Sequence, residues 1–286
     1  MAIGTGSRRP SAVARALRDP AALVGGAVVF LVLVLAVFAE VIAPYGFNQM
    51  DFSATLQGPS AQHWFGTDEL GRDLLSRLIH GARASVTVGV GSALLACLLG
   101  VTVGLVAALR GGRTDTTLMR LMDVLFAFPA ILLALTLVII LGTNIRNIVL
   151  ALGIIYLPQF ARVTRAAALA IKNEQFVEAA VALGNGGGKV ALKHVLPNIL
   201  SPILVQLTVT VAYAMLAEAG LSFVGLGIQP PNPSWGAMLN SGKTYLEQHP
   251  HLTIFPGGFI MLAVFGFNFL GDGLRDLLDP RQRPRG

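Results

Sequence analysis

Six long apolar runs divide this chain and restrict it to folds that a lipid bilayer can hold. A helix of about 20 apolar residues can cross about 30 Å of hydrocarbon, and it satisfies its own backbone hydrogen bonds there. We therefore predict an all-α integral membrane protein with six transmembrane helices. The predicted spans cover residues 21–43, 85–109, 116–141, 148–170, 199–224 and 253–270.

The balance of apolar and charged residues excludes an ordinary soluble domain. Of the 286 residues 54% are hydrophobic and 13% are charged, and the mean hydropathy is +0.68. The net charge of +6 is compatible with nucleic-acid binding, but the basic residues are scattered at the ends of the apolar runs. Lipid headgroups explain these residues better, so we expect a bilayer and no nucleic acid as the partner. Cys97 is the single cysteine, so the chain can form no internal disulfide and no cysteine metal site.

The first apolar run follows a basic segment, and this order leaves two interpretations. One is a cleaved signal peptide, and the other is an uncleaved first span. The run is longer than a usual signal core, and its end at 38–44 lacks a small-residue cleavage site. We favour the uncleaved span, preceded by a short tail.

Residues 44–84 are polar enough to leave the membrane, and they contain the sequence HWFGTDELGRDLLSRLIHGAR at positions 63–83. Leu74, Leu75, Leu78 and Ile79 fall on one helical face, which predicts an interfacial helix that leads to the second span. His63, His80, Asp68, Glu69 and Asp73 are all potential metal ligands. Their spacing matches no recognised site, so we expect a solvated face on the membrane surface and no metal.

The second and third spans contain glycine, proline and aspartate residues whose effects on a membrane helix can be predicted. Gly100 and Gly104 lie four residues apart, and small residues at this spacing let helix backbones approach closely. Pro129 is expected to bend the third span. Asp123 in the same span has two interpretations, a structural ion pair with Arg120 or a role in transport, and we favour the ion pair.

Residues 178–197 form a polar, glycine-rich interruption between the fourth and fifth spans. Apolar residues at helical spacing predict a short amphipathic helix from Glu178 to Leu183. Gly184 and the three glycines at 186–188 are expected to end it. A second short helix from Lys189 to Leu196 is predicted to end at Pro197. The alternative is an amphipathic linker that lies on the headgroups.

The fifth span carries several polar residues in an apolar background. Gln206, Thr210 and Tyr213 recur every three to four residues, which places them on one side of a helix. Ala217 continues this spacing, and Glu218 is a further polar residue of the same span. Two interpretations are equal here, a face that lines a water-filled path and a set of interhelical hydrogen bonds.

The distribution of basic residues predicts the orientation of the spans. With six spans and both termini in the cytoplasm, 16 of the 21 Lys and Arg residues fall in cytoplasmic segments or their flanks. The positive-inside rule supports this arrangement and places residues 178–197 in the cytoplasm.

Four segments resemble the permease subunits of binding-protein-dependent ABC importers, and two of them point to the peptide class. They are GTDELGRD at 66–73, the EAA loop at 178–197, LAEAGLSFVGLGIQPPNPSWG at 216–236 and GDGLRDLLDPR at 271–281. The matching positions of the EAA loop are Glu178, Ala179, Ala180, Gly184, His194, Leu196 and Pro197. His194 stands where the broad consensus has isoleucine, and peptide-class members commonly carry histidine there.

The resemblance is to the second, C-type permease subunit of the dipeptide and oligopeptide importers. It implies a type I ABC importer transmembrane fold, pairing with a similar permease, two cytoplasmic ATPase subunits and an external substrate-binding protein. ATP and Mg²⁺ would be bound by the ATPases, so this chain would bind no cofactor and catalyse no reaction. Glu178 would anchor the loop, Gly184 would permit its bend, and Leu196 with Pro197 would join it to the fifth span.

This resemblance also implies a domain organisation and a location in the bacterial inner membrane. Residues 1–84 would form the N-terminal tail, first span and external segment, residues 85–274 the permease domain, and residues 275–286 a cytoplasmic tail. Importers of nickel, glutathione and opines share these motifs, so they are alternatives to short peptides.

Two functions of other classes are alternatives to the importer. One is a proton-coupled carrier that titrates Asp123 and Glu218. The other is a membrane metalloenzyme, for which the chain has no recognised ligand motif. Gly242-Lys243-Thr244 is not a phosphate-binding P-loop, because Gly236 lies one residue too far from it.

Overall fold

The computed structural model describes residues 20–278, and within them nearly all regular structure is helical. The predicted N-terminal tail at 1–19 and the end of the C-terminal tail lie outside the described residues. The helices, in chain order, are α1 (Pro20–Val37), α2 (Ala39–Ile42), α3 (Leu74–Arg110), α4 (Gly112–Ala127), α5 (Ala130–Leu141), α6 (Ile145–Ile171), α7 (Gln175–Ala182), α8 (Gly187–Val190), α9 (Leu200–Phe223), α10 (Trp235–Gly242) and α11 (His251–Leu278).

Five helical segments of the described region are long and apolar enough to cross a membrane, and α4 with α5 makes a sixth if the pair is one span. This agrees with the six predicted spans, but the third span is broken rather than bent. The axes of α4 and α5 differ by 89°. Phe128 is extended, with φ −83° and ψ 138°, as residues before proline prefer. Pro129 has no N–H to continue the ladder, so α4 ends at Ala127.

The predicted interfacial helix and second span are one continuous helix, α3, of 37 residues. At about 1.5 Å per residue it is about 56 Å long, well beyond the hydrocarbon thickness. Asp73 caps its start by accepting the Ser76 N–H at 2.7 Å. Leu74, Leu78 and Ile79 are buried in the protein core, so the prediction of a membrane-lying face was wrong. The predicted domain boundary between residues 84 and 85 consequently falls inside a helix.

Charged residues before and at the start of α3 are buried against one another, so the prediction that they form a solvated face was wrong. The Arg72 Nε atom lies 2.7 Å from Asp68 Oδ2, and the Arg77 Nε atom lies 3.3 Å from the same oxygen. His63 Nδ1 lies 2.9 Å from Asp73 Oδ1. These bonds satisfy polar groups that would be costly to bury alone. The segment between α2 and α3 is therefore a folded cap on the helices.

Close packing of α3 against α6 forms the centre of the fold. A Cβ atom on Gly100 would lie 2.5 Å from the Phe160 Cβ atom, and one on Gly104 would lie 2.6 Å from the Ala161 carbonyl oxygen. Such distances leave no room for a side chain, so the two backbones are in contact here. The prediction that these glycines mark an internal helix is confirmed.

Candidate coupling loop and translocation path

The first half of the EAA loop is the helix α7, which ends in a glycine cap. Gly184 has φ +78°, a conformation that residues with a Cβ atom rarely adopt. Its N–H donates to the Val181 carbonyl at 2.9 Å, and the Asn185 N–H donates to the Ala180 carbonyl at 3.2 Å. These two bonds are those of a Schellman motif. The four-residue interval between Ala180 and Gly184 therefore has a physical cause, because both residues take part in the cap.

The second half of the loop differs from the predicted helix that ends at Pro197. Gly187 and Gly188 lie inside α8, and the chain continues through a π turn at Ala191–Val195 and a 3₁₀ turn at Leu196–Ile199. Pro197 thus sits in a turn that leads into α9. Proline is tolerated in the first turn of a helix, where its missing N–H costs no bond. The loop is consequently joined to the fifth span by helical structure throughout.

The loop has a buried inner face and an exposed outer face. The inner face packs into the core through Val177, Ala180, Val190, Val195 and Ile199. The outer face carries exposed apolar side chains, Phe176, Val181, Leu183 and Leu192. Exposed apolar clusters of this kind are typical of interaction surfaces.

The remaining predicted coupling residues are distributed over both faces of the loop. Glu178, Ala179 and Pro197 are exposed, and His194 and Leu196 are half-buried. Within residues 20–278 the Glu178 carboxylate makes no ion pair, and it accompanies the exposed apolar side chains on the outer face.

Three predicted path residues on α9 differ in exposure. Gln206 is half-buried, and its Nε2 donates to Gln159 Oε1 on α6 at 3.0 Å and to Thr210 Oγ1 at 3.1 Å. Thr210 is buried. Tyr213 is 54% exposed, and with Ala217 it lines a cavity of about 250 Å³ between α5, α6 and α9.

Both interpretations of this polar stripe therefore have structural support. Gln206 makes the predicted interhelical hydrogen bond, and its partner Gln159 was not identified from the sequence. Gln159 is a polar residue within an apolar span, and this was the signal from which the sequence could have identified it. Tyr213 and the cavity beside it suit a path, so the assignment of Gln206, Thr210 and Tyr213 to the path stays a prediction.

Glu218 lies apart from this stripe. Its carboxyl group is fully buried, with Ser85 Oγ at 3.1 Å and Ser222 Oγ at 2.7 Å. It does not line the cavity that Tyr213 lines.

Asp123 pairs with a different residue from the one that helical spacing predicts. Its Oδ1 atom lies 2.7 Å from the Arg162 Nη2 atom on α6, so the prediction that Arg120 is its partner was wrong. A second pair, which the sequence did not reveal, joins Asp115 to Arg165 through two bonds of 2.5 and 2.6 Å. Helical spacing identifies partners only within one helix, whereas these pairs connect α4 to α6.

Two family models match the chain. Residues 100–284 match the model described as binding-protein-dependent transport system inner membrane component. Residues 10–59 match the N-terminal TM domain of oligopeptide transport permease C.

Two curated proteins resemble this chain over nearly its whole length. The dipeptide transport system permease protein DppC of Alkalihalophilus pseudofirmus is 41% identical, over 93% of this chain and 88% of its own length. The glutathione transport system permease protein GsiD of Pectobacterium atrosepticum is 42% identical, over 93% of this chain and 89% of its own length.

The fold resembles that of a solved ABC transporter. The MetNI methionine ABC transporter, in its inward-facing conformations, superposes with a TM-score of 0.59 over 71% of this chain and 97% of that chain, at 18% identity. At that identity the likeness concerns the fold alone. Taken with the family models and the two relatives, these findings show that the chain is a C-type ABC importer permease of the binding-protein-dependent transport system inner membrane component family.

Proposed function

We propose that this chain forms half of the translocation path of an ATP-driven importer of short peptides, and that residues 178–197 couple it to a cytoplasmic ATPase. The observation that carries the proposal is the two-faced EAA loop. Its inner face is part of the core, its outer face is free to bind a partner, and Gly187–Phe223 forms one helical segment that leads from the loop into the membrane. A displacement of the loop is therefore passed directly to α9.

The outer face of the loop suits a groove on another protein. Its apolar side chains supply contact area, and the Glu178 carboxylate beside them supplies a hydrogen-bond acceptor. In the proposed assembly two ATPase subunits bind ATP and Mg²⁺, and they bind the loop and displace it as they close. The permease itself binds no cofactor and performs no covalent chemistry.

A second, homologous permease would complete the path. The described surface carries exposed apolar residues on α5 and α9, namely Ile131, Leu132, Ile139, Ile140 and Leu216, next to the exposed Tyr213. A pseudo-symmetric partner would cover part of this surface and leave the polar stripe facing the shared path. Lipid would cover the rest of the apolar surface, and an external binding protein would deliver the substrate.

Short peptides are the substrate class that the relatives support best. The two relatives are named for dipeptides and for glutathione, which is itself a small peptide. Glutathione thus remains a specific alternative, and nickel or opines are more distant ones. The family description and the distribution of basic residues favour the bacterial inner membrane with both termini in the cytoplasm.

A proton-coupled carrier is less well supported by the positions of its two titratable residues. Asp123 forms an ion pair with Arg162 on α6, whereas the carboxyl group of Glu218 is surrounded by serine hydroxyl groups. Proton relays in carriers face a cavity or a common pathway. Glu218 is fully buried, whereas the Asp123 side chain is 61% exposed, so the two carboxyl groups have different surroundings.

Uptake by the complete assembly tests the proposal. Proteoliposomes that contain the permease pair, the ATPases and the binding protein should take up labelled di- to hexapeptides only when ATP is supplied to the ATPase side. Uptake without nucleotide that collapses with the proton gradient would contradict the proposal and support a carrier.

Two matched glutamates test the role of the loop in the same vesicles. Glu178→Ala should strongly reduce uptake, because it removes the charged acceptor from the outer face. Glu174→Ala is the control, because Glu174 is also exposed and forms no side-chain cap at the start of α7. If the two substitutions reduced uptake equally, Glu178 would have no specific role in coupling.

A further inference from the structure

A chain of hydroxyl groups links Glu218 to the outer loop, residues 224–234. The Ala237 N–H donates to Ser234 Oγ at 3.2 Å, and Ser234 Oγ lies 3.4 Å from Ser222 Oγ. Ser222 Oγ in turn bonds Glu218 at 2.7 Å and accepts the Ile228 N–H at 3.3 Å. Hydrogen bonds in such a chain strengthen one another in a low-dielectric interior. One carboxyl group therefore connects the middle of the loop, at Ile228, and its end, at Ser234, to α9.

The same carboxyl group reaches a third element. Its second oxygen, Oε2, lies 3.1 Å from Ser85 Oγ on α3. Glu218, Ser85 and Ser234 are all 0% exposed. The group thus holds α9, α3 and the outer loop at one point.

The outer loop is also pressed tightly onto α9. A Cβ atom on Gly227 would overlap the Ser222 side chain. In α10, which directly follows the loop, a Cβ atom on Gly236 would lie 2.6 Å from the Ala219 backbone. Little space is left for the loop to slide along the helix. The hydrogen bonds therefore fix the loop in one register.

The carboxyl group of Glu218 has no positive partner in the described residues. Within residues 20–278 no Lys, Arg or His nitrogen lies within 4.0 Å of it. An ionised carboxylate at full burial needs a cation or several strong donors. Here the neighbours are hydroxyl groups, which can donate or accept. Ser85 Oγ and Ser222 Oγ both donate to the carboxyl group, and with no cation beside them a neutral carboxyl group fits this surrounding.

We propose that Glu218 is an uncharged positioning residue that fixes the outer loop to α9 and α3, so that the loop moves with α9 during transport. It does not bind substrate. Because α9 is continuous with the coupling loop, the connection would carry motion from the cytoplasmic side to the outer loop. The transport consequence rests on the proposed function, whereas the attachment of the loop does not.

The attachment is measured by the reactivity of introduced cysteines in a Cys97→Ser background, which has no other cysteine. Ile228→Cys reports detachment, because Ile228 is buried in the outer loop, and Asn232→Cys in the same loop is an exposed reference. Open membrane fragments with the full complex are labelled with a water-soluble maleimide. The ratio of the two rates measures how often the loop opens.

Glutamine keeps the shape and hydrogen bonding of a neutral carboxyl group, whereas leucine keeps only the size. Glu218→Gln should leave the labelling ratio and ATP-driven peptide uptake within about twofold of wild type. Glu218→Leu should raise the ratio about tenfold and lower uptake similarly, because buried hydroxyls lose their partner. Glu247→Gln and Glu247→Leu, at an exposed glutamate between α10 and α11, should change neither.

Two results would overturn the proposal. One is a Glu218→Gln variant as defective as Glu218→Leu, which would mean that a charge is needed. The other is an unchanged labelling ratio in Glu218→Leu. If that variant fails to accumulate in membranes, Ser222→Ala replaces it and should raise the ratio severalfold. Absent peptide uptake by the wild type would refute the proposed function, while the labelling ratios would still decide the role of Glu218.

Discussion

Gly184→Ala tests whether the shape of the coupling loop depends on one backbone conformation. Gly184 is exposed, has φ +78° and would meet no atom within 4 Å if it carried a Cβ atom. Alanine at this position therefore causes no clash with the rest of the protein. The only free-energy cost of the substitution is that of holding alanine in the left-handed conformation.

The expected magnitude follows from that conformational cost. A non-glycine residue pays about 1–2 kcal/mol to adopt the left-handed region. A penalty of this size changes an equilibrium about five- to thirty-fold. The Schellman bonds of Gly184 and Asn185 would then form in a smaller fraction of the molecules. The apparent affinity of the permease for the ATPase would fall, because fewer molecules would present the correctly shaped loop.

Gly186→Ala is the matched control for this substitution. Gly186 is also exposed, and a Cβ atom added to it would also meet no atom within 4 Å, but its φ is −63°. The affinity of the purified ATPase for the permease pair is measured by biolayer interferometry, and the thermal stability of the permease is followed in parallel. Gly184→Ala should weaken binding about five- to thirty-fold, while Gly186→Ala should weaken it less than twofold. Equal effects of the two substitutions, or none for Gly184→Ala, would refute the reasoning.

Two further predictions concern packing and the charged pairs. Gly104→Ala should destabilise the permease by about 1–3 kcal/mol in detergent melts, because its Cβ atom would lie 2.6 Å from the Ala161 carbonyl oxygen. Gly91→Ala should be nearly neutral, since its contacts are ordinary at 3.4 Å. Asp115→Arg and Arg165→Asp should each cost about 1 kcal/mol, and the double exchange should recover part of it because the pair is partly exposed. A double variant no better than the sum of the single ones would show that the pair contributes nothing.

Two prolines show how far local rules predict this fold. The sequence predicts that Pro129 and Pro197 both disturb a helix. Phe128 before Pro129 is extended, as the rule for such residues requires, and the span breaks there. Leu196 before Pro197 is helical, with φ −53° and ψ −45°. Burial of Val195 and Ile199 on either side outweighs the local preference, which sequence alone could not reveal.

The surroundings of the charged residues were predicted less well than those of the apolar residues. As for the prolines, the reason is that contacts between distant segments decide them. The apolar runs show the spans because hydrophobic burial depends on composition over many residues. The partner of Asp123 lies on another helix, and the charges around Asp68 bond one another inside a cap. Their burial depends on contacts between distant segments. The sequence identified these residues as notable but assigned them to the wrong surroundings.

Three departures from regular α-helical geometry follow one another in the coupling loop. Within it Gly184 is left-handed, residues 191–195 form a π turn, and Leu196 is helical before a proline. Glycine adopts its conformation without strain, whereas the π turn and the helical residue before proline cost free energy and persist where the surrounding structure or function requires them. The inner face of the loop supplies the packing that stabilises them. A loop that only connected two spans could use an unstrained turn, so we expect this shape to be one that a partner protein recognises.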